Sequence, residues 1–383
     1  MYSYGAPCAI GDFISMARKI QITFIGREAS PVYYPISIYQ PDKVVLFYSE
    51  ETTDTADCIK ELVSSPCEKR KLSPTNIGEI TKNVTKCYEQ YKDDELIINI
   101  SSGTKAWAYI AVQEKNRLHN AQFIYVDQTN TIWNLTTGEQ DSFDIADIDT
   151  ELKLHMAKTK NHKNISAYTD EDKKVMHTIK QLRQFHTGEF NKLTMDMSKY
   201  PNRVITETAS GSSLTWDKST KSFIICLRKN NGKCLEEQLC SPNVRSLLLN
   251  TGWFEYQVAE MISKWDFIRD VRLNCVFHSV ENAAKNEIDI IASTGKRLLF
   301  IECKTKISEI TAIDKFAKAS KNFGGMGRIA IFVTDEPLTT TELEKCKDNG
   351  ILSFSFKNVF PGAVPEEELR NLILQKLNRI NSI

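Results

Sequence analysis

A chain of 383 residues, 41% hydrophobic and 9% aromatic, has the length for two or three domains and the apolar content for large cores. It holds no run of about 18 apolar residues, which excludes an ordinary membrane-spanning helix, and its first residues, MYSYGAPCAIGDFISMARK, lack the basic start and unbroken apolar stretch of a secretory leader. Charge balances overall but not locally: residues 1–150 carry 14 Lys+Arg against 21 Asp+Glu, a net of −7, and residues 151–383 carry 35 against 28, a net of +7, which directs any polyanion to the back half.

In the first 150 residues, IQITFIG (20–26) reads as a strand, PVYYPISIYQ (31–40) as a helix and KVVLFYSE (43–50) as a strand. TADCIKELVSS (55–65) and NIGEITKNVTKCYEQY (76–91) read as helices, ELIINIS (95–101) as a strand, KAWAYIAVQEKNRL (105–118) as a helix and AQFIYVD (121–127) as a strand. Such alternation builds βαβ units on a parallel sheet, so residues 1–148 are expected to form a Rossmann-like domain. Polar stretches within 137–168 read as a linker, set at 149–168.

Residues 169–383 are expected to form a second, mixed α/β domain. DEDKKVMHTIKQLRQF (170–185) is a helix, SLTWD and KSFIICLRK suggest a hairpin, and the rest of 186–240 has no readable pattern. NVRSLLLNTGWFEYQVAEMISKW (243–265) is a long helix or a broken pair, and FIRDVRLNCVFHS (267–279) a strand. NEIDIIAS (286–293) and RLLFIECK (297–304) are strands flanking a T-G-K turn. A helix (308–323), a strand (328–334), a helix (339–350), the strand ILSFSF and an amphipathic helix (366–380) complete the chain, with the core of this domain at about 241–355. The ten cysteines are scattered, with no C-x-x-C pair or zinc spacing, and read as reduced thiols of a cytoplasmic protein.

The strands around the T-G-K turn carry the chemistry. Ionised side chains are seldom set into an apolar run without a partner, because removing them from water is costly, yet Glu302 and Lys304 end the run LLFIECKTK (298–306). Alternation puts Glu302 and Lys304 on one face with Ile301 and Cys303 opposite, and Glu287 and Asp289 on one face with Ile288 and Ile290 opposite. The turn at Thr294 and Gly295 brings Asp289 across from residues 300–302. Asp289, Glu302 and the Cys303 backbone carbonyl then supply hard oxygen ligands for Mg²⁺ or Mn²⁺. Glu255, in NTGWFEYQVAE (250–260), is a candidate third side-chain ligand and Glu260 a weaker one. Such a cation polarises a scissile phosphate and acidifies a bound water, while Lys304 orients or deprotonates that water or stabilises developing charge. A salt-bridged surface hairpin is the plain alternative. Asp289 standing thirteen residues before Glu302, the apolar flanks, the turn and a following helix with Lys315 and Lys318 favour the site.

Ligands of open α/β sheets sit beyond the carboxyl ends of the strands. Two such loops stand out, FIGREASPVYYP (24–35) and NISSGTKAWAYIA (99–111). In the second, Gly103, the hydroxyls of Ser101, Ser102 and Thr104, and the Lys105 cation at a helix start make a phosphate cradle; an ordinary Ser/Thr helix cap is the alternative. The loop is neither a Walker A nor a G-x-G-x-x-G sequence, which argues against NTP hydrolysis and NAD binding.

Asp289, Glu302 and Lys304, with Glu255 upstream, resemble the PD-(D/E)xK nuclease signature in its Asp…Glu-x-Lys form, with Ile288 where a Pro usually precedes the Asp. The G-x-x-x-S-P step from Gly26 to Pro31 and the S-G-T-K step into an Ala-rich helix resemble CARF domains, the Rossmann-like sensors of CRISPR-associated proteins, in the group that carries such a nuclease behind the sensor. The likeness spans roughly residues 20–135 and 241–335. It implies an N-terminal CARF domain followed by a restriction-endonuclease-like α/β domain, acting as an ancillary effector of type III CRISPR antiviral defence. Such effectors are cytoplasmic homodimers activated by a cyclic oligoadenylate, most often cyclic tetra-adenylate, and cut single-stranded RNA, DNA or both. The ligand contacts it implies are Gly26, Arg27, Ser30, Pro31, Ser101, Ser102, Gly103, Thr104 and Lys105, with Ser49, Thr52 and Asp127 at other strand ends. A two-fold ligand fits the axis of a C2 dimer, and the basic back half fits phosphate-dominated binding of substrate. Two other readings remain: a ligand-independent DNA-repair or resolvase-like nuclease, which the SSGTK loop disfavours, and a non-catalytic nucleotide sensor, which the intact Asp289, Glu302 and Lys304 set disfavours.

Overall fold

The computed structural model describes residues 17–194, 205–278, 287–325, 327–359 and 361–381; most of the N-terminal stretch read for a leader lies outside them. The chain divides into two compact units, Met1–Phe143 and Asp144–Ile383.

The first unit runs β1 (Lys19–Phe24), α1 (Ser30–Tyr39), β2 (Lys43–Tyr48), α2 (Thr53–Leu62), β3 (Cys67–Lys71), α3 (Ile77–Gln90), β4 (Glu95–Asn99), α4 (Lys105–Gln113), β5 (Ala121–Val126), β6 (Thr131–Asn134) and β7 (Gln140–Ser142). The sheet order is β3-β2-β1-β4-β5-β6-β7. The first five strands are parallel and the last two antiparallel additions. Ile20, Ile22 and Phe24 pack with Val45, Phe47 and Ile98 against Ile80, Val84 and Tyr88 of α3 and Trp107 and Ile110 of α4. Continuous apolar strands are what a parallel sheet covered on both faces requires. The charged β3, CEKRK, has no apolar signal; it is an edge strand, where Lys69, Arg70 and Lys71 pair with Asp57, Glu68 and Glu50. The chain proceeds from β1 outward to β3 and returns to β4 on the opposite side, so the sheet has its switch point between β1 and β4.

The second unit begins with α5 (Ile148–Leu154), β8 (Thr159–Asn164), α6 (Asp170–Phe185) and α7 (Thr187–Thr194). The segment read as a linker at 149–168 is therefore structured: Ile148 and Leu152 are buried in the core, and β8 pairs with a central strand. Its polar residues suit an edge strand, which is why it looked like a linker. Next come β9 (Ile205–Glu207), β10 (Ser213–Asp217), β11 (Ser222–Arg228) and β12 (Cys234–Cys240), an antiparallel four-stranded sheet. Its Leu214, Trp216, Phe223, Ile225 and Leu239 join the core beside Val175, Ile179 and Leu182 of α6.

The remaining elements are α8 (Val244–Leu248), α9 (Gly252–Ser263), β13 (Asp270–Phe277), β14 (Glu287–Ser293), β15 (Leu298–Lys304), α10 (Thr311–Gly324), β16 (Ile329–Thr334), α11 (Thr340–Asp348), β17 (Leu352–Ser355) and α12 (Pro365–Asn381). The break between α8 and α9 falls at Gly252, where a Cβ would lie 1.7 Å from the Ser246 carbonyl oxygen. A six-stranded sheet, β17-β16-β15-β14-β13-β8, forms the middle layer. On one face Ile290, Leu299, Ile301, Cys303, Ile331 and Val333 pack with Phe254, Val258 and Ile262 of α9. On the other, Ile288, Ile291, Phe300 and Phe332 pack with Ile313, Phe316 and Phe323 of α10. Ile288 and Ile290 thus lie on opposite faces, and the strict alternation expected along EIDII fails at Asp289.

Candidate functional site

The antiparallel pairing of Ile290 with Ile301 and Ser293 with Leu298, closed by Gly295 at φ +76°, carries Asp289 to the end of the hairpin beside Glu302. Both carboxylates are buried, Asp289 at 5% exposure and Glu302 at 2%. Ions this deep need partners. The Lys304 ammonium donates to Glu302 Oε1 at 2.9 Å and to Asp289 Oδ2 at 3.3 Å, and the Cys303 backbone N–H donates to the same Asp289 oxygen at 2.9 Å. Burial opposes the charge on Lys304, but Asp289 and Glu302 outweigh it and hold the ammonium protonated, above its ordinary range. Expected on one face, Glu302 and Lys304 do meet, and Asp289 joins them.

On α9, Glu255 accepts a hydrogen bond at 2.9 Å from the side-chain amide of Asn274 in β13. Burial first, and the Asp289 charge second, push its carboxyl up to about 8, against the pull of Lys304 and Asn274. Glu260 is instead turned to Lys264, 3.5 Å away. The Cys303 thiol is fully buried in the core and burial keeps it protonated, so only its carbonyl is available as a ligand, and that carbonyl accepts from Lys304 at 3.2 Å.

Among the described residues no three His, Cys, Asp or Glu side chains are placed so that they could together hold a metal ion as they stand; Lys304 bridges the two central acids. The donor set nevertheless fits a hard divalent cation. Asp289 and Glu302 share one ammonium, Glu255 lies in the field of Asp289, every donor is oxygen, and the penalty on ionising Glu255 is what a nearby cation would remove.

In the first unit, the loops after β1 and β4 meet at the switch point. The Gly26 N–H donates to Ser102 Oγ at 2.9 Å. Asn99, wholly buried, accepts from the Ser101 N–H at 3.0 Å and donates to the Pro31 carbonyl at 2.9 Å, tying the two loops together. Ser101 Oγ also accepts from the Val126 N–H at 2.8 Å. Thr104 caps α4 by accepting from the Trp107 N–H at 3.2 Å, and Lys105 and Arg27 are exposed. A Cβ on Gly26 would lie 2.4 Å from Ser102 Oγ, and Gly103 adopts φ +81°, so both glycines are needed for this approach. Ser49 and Thr52 bond each other in a buried cap, and Asp127 accepts from Thr129 of its own turn and from Thr131 and Trp133 of β6; these three side chains organise their own strand ends. Sequence reading passed over Asn99 and Asn274, although both stand in strands, where Asn is a poor fit.

Residues 242–352 match the family model of the Card1-like endonuclease domain. No curated protein matches the chain. Among solved structures, Can2 from Sulfobacillus thermosulfidooxidans in complex with cyclic tetra-adenylate is similar at 19% identity and a TM-score of 0.68, over 94% of this chain and 99% of that one. Protein VC1899 from Vibrio cholerae is similar at 15% identity and 0.69, over 94% and 98%. A type III CRISPR defence DNA nuclease activated by cyclic oligoadenylate follows at 14% and 0.57, over 93% of this chain and 51% of that one. At these identities the likeness is one of fold. The expected fold class holds: a Rossmann-like α/β unit precedes a mixed α/β unit that contains the endonuclease-domain match.

Proposed function

We propose that this chain, whose residues 242–352 match the Card1-like endonuclease domain, is a metal-dependent nuclease of type III CRISPR defence, switched on by a cyclic oligoadenylate. The observation that carries the reading is the meeting of two buried carboxylates, Asp289 and Glu302, on one ammonium, Lys304, inside the family-matched segment. Asp289, Glu302, Glu255 and the Cys303 carbonyl would hold Mg²⁺ or Mn²⁺. When bound, such an ion supplies Lewis-acid polarisation of the scissile phosphate. Lys304, kept cationic by its two acids, serves to orient the attacking water and to offset charge on the phosphate rather than to take a proton. The basic stretch from residue 151 onward favours a nucleic-acid substrate, and we assign single-stranded RNA or DNA.

The β1/β4 switch point is the activator site in this reading, with Gly26, Arg27, Ser30, Pro31, Ser101, Ser102, Gly103, Thr104 and Lys105 around the phosphates of cyclic tetra-adenylate. A homodimer in the cytoplasm would give a two-fold ligand a two-fold site. Activation then requires that the ligand bind one arrangement of the dimer more tightly than another. The deciding assay incubates the protein with Mn²⁺ or Mg²⁺ and labelled single-stranded RNA or DNA, with and without cyclic tetra-adenylate. Cutting that depends on both metal and ligand is expected. Equal cutting without the ligand would favour a repair or resolvase-like nuclease, and none under any metal a non-catalytic sensor.

A further inference from the structure

We propose that Asn274 is a positioning residue of the nuclease site, its amide holding the Glu255 carboxylate toward Asp289 and Glu302 where these acids take a divalent cation. The inference rests on the nuclease reading above. Three features of β13 converge on this residue. The ladder to β14 keeps one register on both sides, Leu273 with Ile290 and Cys275 with Ile288, yet lapses where Asn274 stands opposite Asp289. On its other edge the pairing of β13 with β8 shifts between Leu273 and Val276. Asn274 itself has left-handed backbone, φ +49°, a conformation that Asn tolerates better than other side chains with a Cβ. Non-glycine residues held in this region concentrate at sites where the surroundings fix them for a purpose.

The purpose is visible in the side chain, which donates to Glu255 Oε2 at 2.9 Å. The ladder lapse also coincides with the point where Ile288 and Ile290 part to opposite faces of the sheet. The lapse thus accompanies the turning of Asp289 toward Lys304 and of Asn274 toward Glu255. A neutral amide suits this place. It orients one carboxylate oxygen without adding charge, whereas a Lys or Arg would compete with the cation and an Asp would repel Glu255.

The test uses full-length protein and the variants Asn274→Gly and Asn274→Asp, with Asp289→Asn as reference. Mn²⁺ affinity is read by the loss of the free-ion electron paramagnetic resonance signal, beside thermal unfolding and ligand-activated cutting. Glycine accepts the left-handed backbone but lacks the donor, so Asn274→Gly should unfold near the wild-type temperature and bind Mn²⁺ about 10–100-fold more weakly. The isosteric Asn274→Asp loses the donor and adds a carboxylate that both repels Glu255 and attracts the cation, so its Mn²⁺ affinity should depart from wild type. A purely packing role would leave the isosteric Asn274→Asp near wild type. Wild-type Mn²⁺ affinity in either variant would overturn the proposal. If Asp289→Asn retains Mn²⁺ binding and cutting, the nuclease reading itself fails; if it loses both while Asn274→Gly matches wild type, only the role of Asn274 fails.

Discussion

Replacing Asp289 by Asn should leave the metal-free protein as stable as wild type or more so, while abolishing cleavage. Near pH 7, with Glu255 mostly protonated at about 8, the cluster carries Asp289, Glu302 and Lys304, a net of one negative charge in a site 5% and 2% exposed at its acids. The substitution makes the cluster neutral and keeps the 2.9 Å contact between Lys304 and Glu302. The Asn carbonyl can still accept from the Cys303 N–H, now 2.9 Å from Asp289. What is lost is the longer contact to Lys304, 3.3 Å, worth at most about 1 kcal/mol because the ammonium is partly solvated. What is gained is the desolvation cost of one buried carboxylate, roughly 1–3 kcal/mol after relaxation. The balance is a gain of about 0–2 kcal/mol, or roughly 0–8 °C for a unit of this size. Differential scanning calorimetry without metal, and again with Mn²⁺, checks it. Wild type should gain stability from Mn²⁺ by mass action and the variant should not. A metal-free loss above about 2 kcal/mol, with no Mn²⁺ effect in wild type, would mean that Asp289, Glu302 and Lys304 are a structural ion cluster and would remove the basis of the nuclease reading.

Lys304→Met strips both acids of their cation; breaking a buried pair costs about 3–5 kcal/mol, reduced here to about 2 kcal/mol because Lys304 is 35% exposed. Calorimetry should register that loss, with Mn²⁺ restoring part of it, and an unchanged midpoint would refute the pairing. Glu255 gives the metal-free protein a pH signature. Its carboxyl sits at about 8 instead of 4.5, so the stability tied to its proton is complete below about pH 4.5 and is lost as pH rises toward 8, by no more than roughly 5 kcal/mol. Denaturant titrations across that window should lose this slope in Glu255→Gln. Gly26→Ala drives a Cβ to 2.4 Å from Ser102 Oγ and 2.9 Å from the Gly103 nitrogen, so calorimetric titration with cyclic tetra-adenylate should find affinity down about tenfold, or about 1.4 kcal/mol; full affinity would count against the cradle. Lys105→Ala should raise the ligand concentration needed for half-activation while leaving Mn²⁺ binding intact, and an unshifted activation curve would exclude Lys105 from the ligand.

The parts of this molecule legible in its sequence are those whose physics is local. Val44, Val45, Leu46 and Phe47 announce a buried parallel strand because both of its faces are apolar, and Thr294 with Gly295 announces a turn because φ +76° at Gly295 is costly for most other residues. Glu302 and Lys304 could be placed on one face because a strand alternates and nothing interrupts β15. Asp289 broke that rule, since the lapse in the ladder depends on Asn274, fifteen residues earlier, and a period-two reading of EIDII has no means of sensing a neighbouring strand. The charged β3 and the polar β8 escaped for a related reason: edge strands draw stability from a partner on one side and leave the other to water, so their sequences resemble loops. The site therefore repeats the lesson at smaller scale. The charged residues around Lys304 were readable because charge in an apolar run demands an explanation, whereas two amides, Asn99 in the first unit and Asn274 beside Glu255 in the second, carry no charge and gain their meaning only from the carbonyl, backbone N–H and carboxylate that the fold sets within 3.0 Å of them. Positioning by neutral hydrogen bonds is invisible to composition, which is why the Asn274 variants probe something that the acid substitutions do not.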